Sequence, residues 1–251
     1  MAPNKQAENL GKRMINITIL IPAYNEEATI IPLLKSVQKE TSKIKTVSFE
    51  IVVIDDFSQD NTNKLLRENE ILYNRLISLE KNQGKGGAVL RGLEKAKGDY
   101  ILFQDADLEY SPKDYKSLIV PIVDFDADIV MGSRFVAPPY TRVHYFWHKV
   151  GNKSLTLLFN ILNNTTFTDI YSCYLIYRRD LVPLKKIKTK GWEQHGEILS
   201  RAVKNGKVFY EVPISYSGRS YGEGKKIRAF HIFKIVYTLI ITRFFHKRIL
   251  L

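Results

Sequence analysis

The sequence has very little cysteine and no long uncharged hydrophobic run. Cys173 is the single cysteine among 251 residues, so no disulfide can form within the chain and a small disulfide-stabilised fold is excluded. No window reaches the roughly 18 apolar residues that a membrane-spanning helix needs. Residues 1–14 also lack the apolar core of a secretory signal, and with the lone cysteine this predicts a protein of the reducing cytoplasm.

Acidic residues are scarce in the second half of the chain. Residues 1–139 carry 18 Lys/Arg and 20 Asp/Glu, whereas residues 140–251 carry 20 Lys/Arg and 6 Asp/Glu. The net charge of +12 therefore comes from the second half. Such a balance is typical of a protein that meets nucleic acid, a phosphorylated substrate or an anionic membrane. The composition, 45% hydrophobic and 25% charged, is that of a folded globular protein.

Apolar runs alternate with helical patterns along the chain, which predicts an α/β fold with a mostly parallel central sheet flanked by helices. The predicted strands are 17–21, 49–54, 75–79, 100–104, 128–131, 174–177 and 208–212, and the predicted helices are 26–39, 59–69, 84–97, 112–123, 145–162 and 193–205. Pro22 is expected to end the first strand. No flexible linker separates the two halves, so we expect them to share one core.

Carboxylates are concentrated where the predicted strands end. Asp56 follows the second strand, and Asp105, Asp107 and Glu109 follow the fourth. Ligands bind beyond the carboxyl ends of strands in open parallel sheets. Because clustered carboxylates repel one another, the pattern indicates a divalent metal, Mg²⁺ or Mn²⁺, and the phosphates that it binds.

Three further segments carry candidate binding groups. The glycine-rich stretch 84–88 matches neither phosphate-binding fingerprint and predicts a tight turn into a helix, with Lys85 able to approach phosphate. Glu193 and Glu197 share a helix face, where they either line the site or favour the helix N-terminus. Residues 219–226 form a basic glycine-rich loop that could close over a diphosphate.

A basic amphipathic helix is predicted at residues 228–251. Phe230, Phe233, Tyr237, Ile241 and Phe244 recur at helical spacing, with Lys and Arg residues on both flanks. This pattern fits equally a helix lying on a membrane surface and a terminal helix packed on the core.

The chain resembles the family 2 glycosyltransferases, and among them the dolichyl-phosphate mannose synthases and other polyprenyl-phosphate glycosyltransferases. The matching segments, in family order, are ILIPAYNEE (19–27), IVVIDDFSQDNT (51–62), GKGGAVLRG (84–92), GDYILFQDADLEYSP (98–112), DIVMGSRF (128–135), TDIYSCYLIYRRDLV (168–182) and EVPISYSGRSYGEGKKI (211–227). The resemblance implies a GT-A, Rossmann-like glycosyltransferase domain over residues 17–227. Residues 17–135 would bind the nucleotide sugar and 136–227 the acceptor, between an N-terminal extension, 1–16, and the C-terminal helix.

The resemblance also implies roles for individual residues. Nucleotide contacts would come from Pro22, Tyr24, Glu26, Ile54 and Asp56, and diphosphate contacts from Asp105, Ala106 and the DXD aspartate Asp107. Asp107 and Glu109 would hold the metal, although relatives carry Gln or Ser at the second position. Arg134, Arg219 and Lys225 would contact the sugar diphosphate or the acceptor phosphate, and Asp169 would lie near the sugar. Gly224 departs from the family's frequent G-E-S-K, and we expect the lysine role to survive.

These implications define a metal-dependent inverting sugar transfer from GDP-mannose or a UDP-hexose to a polyprenyl phosphate, at the cytoplasmic face of a membrane. A membrane partner protein is a further expectation. A glycan or protein hydroxyl is the alternative acceptor, and it would need a base such as Asp169, Glu193 or Glu197. Nucleic acid is the least expected partner, because no recognition motif accompanies the positive charge.

Overall fold

The computed structural model describes residues 14–136, 146–218 and 231–245, which form a seven-stranded sheet with helices packed against it. The strands are β1 (Asn16–Ala23), β2 (Ser48–Asp55), β3 (Arg75–Ser78), β4 (Tyr100–Phe103), β5 (Ile129–Ser133), β6 (Leu175–Arg178) and β7 (Phe209–Pro213). The helices are α1 (Ile30–Lys43), α2 (Thr62–Glu68), α3 (Gly84–Lys95), α4 (Tyr115–Phe125), α5 (Phe146–Asn163), α6 (Glu193–Asn205) and α7 (His231–Phe245).

The strand order is β3-β2-β1-β4-β6-β5-β7. All neighbouring strands are parallel except at β6, which runs antiparallel to both β4 and β5. The predicted mostly parallel α/β sheet is therefore confirmed. Strands β6 and β7 come from the second half of the chain and pair with strands of the first, so one sheet includes both halves.

The first strand continues past the expected stop at Pro22. Its pairing with β2 extends to Ala23 and Asp55, whereas its pairing with β4 ends at Leu20 and Phe103. Proline has no N–H to donate, so it interrupts hydrogen bonding to a neighbouring strand on one side only. The prediction that Pro22 ends the first strand was therefore wrong, because β1 continues to Ala23 beside β2. Only the pairing of β1 with β4 stops before Pro22.

The central strands are buried because they are continuous β-branched and aliphatic runs covered by helices on both faces. Ile19, Val53 and Leu102 are fully buried in one core that also includes residues of β5 and β6. Gly92 allows α3 to approach the sheet, since a Cβ there would lie 2.8 Å from the Ile54 side chain. These contacts fix the carboxyl ends of β1, β2 and β4 side by side.

Among the described residues, three of the five non-glycine residues with a positive φ lie just beyond those three strand ends. Asn25, Phe57 and Leu108 have positive φ angles of 54°, 64° and 63°, and each lies a few residues beyond the end of β1, β2 or β4. Non-glycine residues adopt this conformation at a cost of about 1–3 kcal/mol, and such residues cluster at functional sites. The strain thus marks the same edge of the sheet as the carboxylates.

Candidate functional site

The loop after β1 is fixed against the loop after β2. The Asn25 side-chain oxygen accepts from the Gln59 N–H at 2.8 Å, and the Glu26 N–H donates to the Thr62 hydroxyl at 2.8 Å. Tyr24 and Glu26, which the sequence assigns to the nucleotide, belong to this loop, and Pro22, assigned with them, is the second-last residue of β1. The two loops together form one wall of the candidate donor site.

Asp56 lies on that wall in a buried position. One of its carboxylate oxygens accepts from the Gln83 N–H at 2.7 Å, just before α3 begins. Burial raises the pKa of Asp56 above its ordinary value, and the hydrogen bonds from the start of α3 oppose that rise. The Ile54 side chain is fully buried near Gly92, so a nucleotide would meet the backbone of this residue.

The segment after β4 brings the predicted diphosphate-binding residues to the same edge. Asp105 pairs with the Lys85 ammonium at the beginning of α3. Ala106 is buried, whereas the flanking Asp105 and Asp107 are half-buried. The Asp107 carboxylate accepts from the Glu109 N–H at 3.1 Å, which closes the turn that contains the strained Leu108.

Lys85 was expected to approach phosphate, and the structure places it beside the aspartates. Burial favours the neutral amine, but attraction by Asp105 outweighs burial and raises the pKa of Lys85. Its side chain is still 39% exposed, so solvent screens part of this effect. The Trp192 ring lies 5.6 Å from the ammonium. Lys85 is therefore a fixed cation next to the predicted diphosphate position.

The chemistry of the donor atoms fits a small divalent cation. Asp107 and Glu109 supply carboxylate oxygens, and Mg²⁺ is usually held by one or two carboxylates together with substrate phosphates. Across residues 14–136, 146–218 and 231–245, no three His, Cys, Asp or Glu side chains are grouped closely enough to hold a metal by themselves. A metal here would take its remaining ligands from the nucleotide and water.

Gln104 supports this segment from the core side, and it was not among the site residues predicted from the sequence. Its buried side-chain amide donates to the Asp105 carbonyl at 2.9 Å, and its oxygen accepts from the Tyr115 and Tyr174 hydroxyls, both at 2.8 Å. A buried polar side chain surrounded by partners defines one backbone position. The signal in the sequence was a glutamine inside an otherwise apolar strand end.

Arg134 and Asp169 form a buried ion pair at the neighbouring part of the edge. The guanidinium donates to both carboxylate oxygens, at 2.6 and 2.8 Å, and the side chains are only 11% and 1% exposed. The Arg134 guanidinium also lies 5.1 Å from the Tyr216 ring. Tyr216 donates in turn to the Glu109 carboxylate at 2.9 Å, so this pair is connected to the segment after β4.

Glu211 of β7 holds the Asp169 backbone in place. Its carboxylate accepts from the N–H groups of Thr168 and Asp169 at 2.9 to 3.1 Å. Burial raises the pKa of Glu211, while these hydrogen bonds lower it and the nearby Asp169 charge adds to the rise. Glu211 is the second supporting residue that sequence reasoning missed.

Glu197 of α6 has a structural set of partners. Its buried carboxylate accepts from the N–H groups of Lys188 and Thr189, the Thr189 hydroxyl and the Arg201 guanidinium. Burial raises its pKa, but the hydrogen bonds from Thr189 and Arg201 outweigh burial, and the net pKa of Glu197 is lowered. Glu197 thereby orders the segment that ends at Trp192, beside Lys85.

Two assigned residues cannot be located in this arrangement. Arg219 and Lys225, and the rest of the basic loop, lie outside the described residues, as do residues 1–13, 137–145, 227–230 and 246–251. The other assigned residues, from Pro22 to Asp169, lie at or directly beneath one edge of the sheet.

Two relatives of this chain are named for sugar transfer to dolichyl phosphate. The chain is 29% identical over 246 residues to the UDP-N-acetylglucosamine–dolichyl-phosphate N-acetylglucosaminyltransferase of Methanococcus voltae, covering 90% of this chain and 96% of that protein. It is 29% identical to the dolichol-phosphate mannosyltransferase of Pyrococcus furiosus, covering 84% of this chain and 59% of that protein.

Solved structures confirm the GT-A fold. Glucosyl-3-phosphoglycerate synthase from Mycobacterium tuberculosis, in a complex that contains Mn²⁺ and UDP, aligns with a TM-score of 0.65 and 19% identity over 91% of this chain and 80% of that one. TarS from S. aureus aligns with a TM-score of 0.57 and 19% identity over 93% of this chain and 73% of that one. The family model for glycosyl transferase family 2 matches residues 18–183, and the chain belongs to this family of enzymes.

Proposed function

We propose that this glycosyltransferase transfers a sugar, with inversion at the anomeric carbon, from a nucleotide-diphospho-sugar to a polyprenyl phosphate such as dolichyl or undecaprenyl phosphate. GDP-mannose and UDP-hexoses are the donors to test. Two relatives named for dolichyl-phosphate sugar transfer support the acceptor class, and their different sugars leave the donor open.

One observation carries the proposal, namely the contact series from Glu109 through Tyr216 to Arg134. It joins a carboxylate-rich edge, suited to a metal and a diphosphate, to a buried guanidinium, suited to a second phosphate. A sugar that passes from one phosphate to another needs these two environments within one sugar length. The series supports a donor and an acceptor lying side by side.

The residues of this edge have different proposed roles in the reaction. Asp107 and Glu109 would hold Mg²⁺ or Mn²⁺, which when bound neutralises charge on the diphosphate as the anomeric bond breaks. Lys85 adds a fixed positive charge beside Asp105. A polyprenyl phosphate is already anionic at neutral pH, so Arg134 has to hold and orient it, and no general base is required. Arg219 and Lys225 are proposed to add contacts from the basic loop.

A lipid acceptor requires contact with a bilayer, and we propose that α5 and α7 make it on the cytoplasmic face. Both helices expose large apolar side chains: Phe146, Trp147, Leu157 and Ile161 on α5, and Phe233, Tyr237, Phe244 and Phe245 on α7. The opposite face of α7 is buried through Ile235 and Leu239, so the helix both packs on the core and presents aromatic residues. A membrane partner protein would contact the same surface.

No described helix of the chain is sufficiently long and apolar to span a bilayer. Peripheral contact through α5 and α7 is therefore the form of membrane association that we propose.

The test is transfer of radiolabelled sugar from UDP-N-acetylglucosamine, UDP-glucose and GDP-mannose in the presence of Mn²⁺ or Mg²⁺. Each donor is incubated with polyprenyl phosphate in detergent and, separately, with soluble glycans. We expect label in the organic phase, dependent on both metal and lipid phosphate. Label in a soluble glycan alone would assign the acceptor to the hydroxyl class instead. The matched control is the same lipid as the free alcohol, which lacks the phosphate.

A further inference from the structure

His195, on the first turn of α6, lies between the two halves of the candidate site. Its ring centre is 6.1 Å from that of Phe103, two residues before Asp105, and 5.9 Å from that of Tyr171, two residues after Asp169. The imidazole thus touches the two segments that carry the donor-side and acceptor-side carboxylates.

The charged groups around His195 come from both ion pairs. Lys85 and Asp105 act on it from the donor side, and Asp169 and Arg134 act on it from the acceptor side. Burial lowers the pKa of His195 to about 4, with Lys85 adding to that effect. The side chain is therefore a neutral imidazole at physiological pH, placed between two sets of charges.

The Nε2 atom of His195 is buried and makes no hydrogen bond with any described residue. A buried nitrogen without a partner is unfavourable, and such an atom at a functional site gains free energy when a ligand supplies one. Lys85 and Arg134 suit phosphates because they are charged, whereas a neutral imidazole suits a neutral group. A sugar hydroxyl both donates and accepts, so it matches Nε2 in either tautomer.

We propose that His195 Nε2 binds a hydroxyl group of the transferred sugar. The inference depends on the proposed function, because it takes the diphosphate to lie by Asp105 and Asp107 and the acceptor phosphate by Arg134. On that placement the sugar lies between the two phosphates, and the His195 ring packs against one segment from each side. His195 is accordingly a residue that selects among donor sugars, and it leaves recognition of the nucleotide to the loops after β1 and β2.

The experiment compares binding of a nucleotide sugar with binding of its nucleoside diphosphate, in the presence of Mn²⁺ and without acceptor. The probes are UDP-N-acetylglucosamine, UDP-glucose and GDP-mannose, paired with UDP or GDP, and the proteins are the wild type, His195→Leu and His195→Gln. Leu removes the polar atom, whereas Gln keeps an amide near the position of Nε2. We expect His195→Leu to weaken binding of the nucleotide sugar about tenfold more than binding of the nucleoside diphosphate. His195→Gln should have a smaller effect on binding of the nucleotide sugar.

The proposal would be overturned if His195→Leu weakened binding of the nucleotide sugar and of the nucleoside diphosphate equally, or if it changed neither. Deoxy analogues of the preferred donor provide a second test that does not depend on how well His195→Leu folds. Removing one particular hydroxyl should lower the affinity of the wild type about tenfold and that of His195→Leu much less, with His195→Gln between the two. If every deoxy analogue loses the same affinity with the wild type as with the variants, His195 contacts no sugar hydroxyl.

The outcome is separable from that of the proposed function. Binding is measured without acceptor, so a failed transfer to polyprenyl phosphate leaves the result for His195 intact. A wild-type protein that binds no nucleotide sugar would overturn both.

Discussion

Arg134 and Asp169 form two parallel hydrogen bonds of 2.6 and 2.8 Å in a buried position, although 35 residues separate them in the chain. The Arg134 N–H also donates to the same carboxylate at 3.2 Å. Asp169 therefore orients the guanidinium that we assign to the acceptor phosphate. Removing either partner leaves an unpaired buried charge in the site.

Asp169→Asn should destabilise the protein and lower sugar transfer. Loss of one partner of a buried ion pair costs about 3–5 kcal/mol, and Arg134→Gln should cost a similar amount. The free energy of unfolding of the double variant should fall by at least 1 kcal/mol less than the sum of the losses of the two single variants. Each single variant leaves one buried charge without its partner, whereas the double variant removes both charges. Urea unfolding measures the free energies, and transfer assays measure the activity.

The matched control for that pair is Asp126→Asn. Asp126 pairs with Arg178 at 2.9 Å but is 85% exposed, so the change should cost less than about 0.5 kcal/mol. Equal losses for Asp126→Asn and Asp169→Asn would contradict the role assigned to burial.

Glu197→Gln should disturb the donor side through the segment that ends at Trp192. The carboxylate and Arg201 are 2% and 6% exposed, so we expect a loss of about 2–4 kcal/mol and weaker donor binding. Glu94→Gln is the control, because Glu94 makes a similar helical pair with Arg91 that is largely exposed. Urea unfolding and UDP or GDP titration test this, and normal donor binding by a folded Glu197→Gln would contradict it.

The sequence predicted the sheet well, because apolar β-branched runs bounded by turn residues depend on local chemistry. It also placed Asp56, Asp105 and Asp107 at one edge, since parallel strands end on the same side. It did not predict that β6 enters between β4 and β5 in the opposite direction. Apolar periodicity is the same for both directions, and the choice depends on contacts between distant segments.

Side-chain partners were the less predictable part of the site. Asp169 and Glu197 both looked available as bases, yet Asp169 pairs with Arg134 and Glu197 with backbone N–H groups and Arg201. Nothing in their local sequence distinguishes a reacting carboxylate from a supporting one. Gln104 and Glu211 were missed for the same reason, because their roles depend on partners far along the chain.

Asp107→Asn should reduce transfer by about 100-fold or more and raise the Mn²⁺ concentration needed for half-maximal activity. The amide keeps the shape of the side chain but weakens its affinity for a hard cation. Asp124→Asn, on the exposed face of α4, is the control and should change neither quantity. An unchanged metal requirement in Asp107→Asn would remove this residue from the proposed metal site.

The double change Phe233→Ser and Phe244→Ser should weaken binding to vesicles of phosphatidylcholine and phosphatidylglycerol without lowering stability. These side chains are 75% and 67% exposed, so their loss removes membrane contact rather than core packing. Ile71→Ser is the control, because Ile71 is 86% exposed and belongs to the short turn before β3. Vesicle sedimentation gives the measurement. Equal vesicle binding by the double variant and the wild type would exclude this face of α7.

His195 should make the protein less stable in acid. Burial first, and then Lys85 and Arg134, lower its pKa to about 4, and Asp105 and Asp169 oppose them without restoring the ordinary value of 6.5. Between pH 6.5 and 4 the unfolded chain binds this proton and the folded chain does not, so stability falls as the pH falls. For this group alone the loss at pH 4.5 is about 2–3 kcal/mol relative to pH 7. Glutamine does not titrate in this range. Urea unfolding should therefore show that His195→Gln loses about 2–3 kcal/mol less stability between pH 7 and pH 4.5 than the wild type does. Parallel losses in the two proteins would mean that the imidazole is not held neutral by the fold.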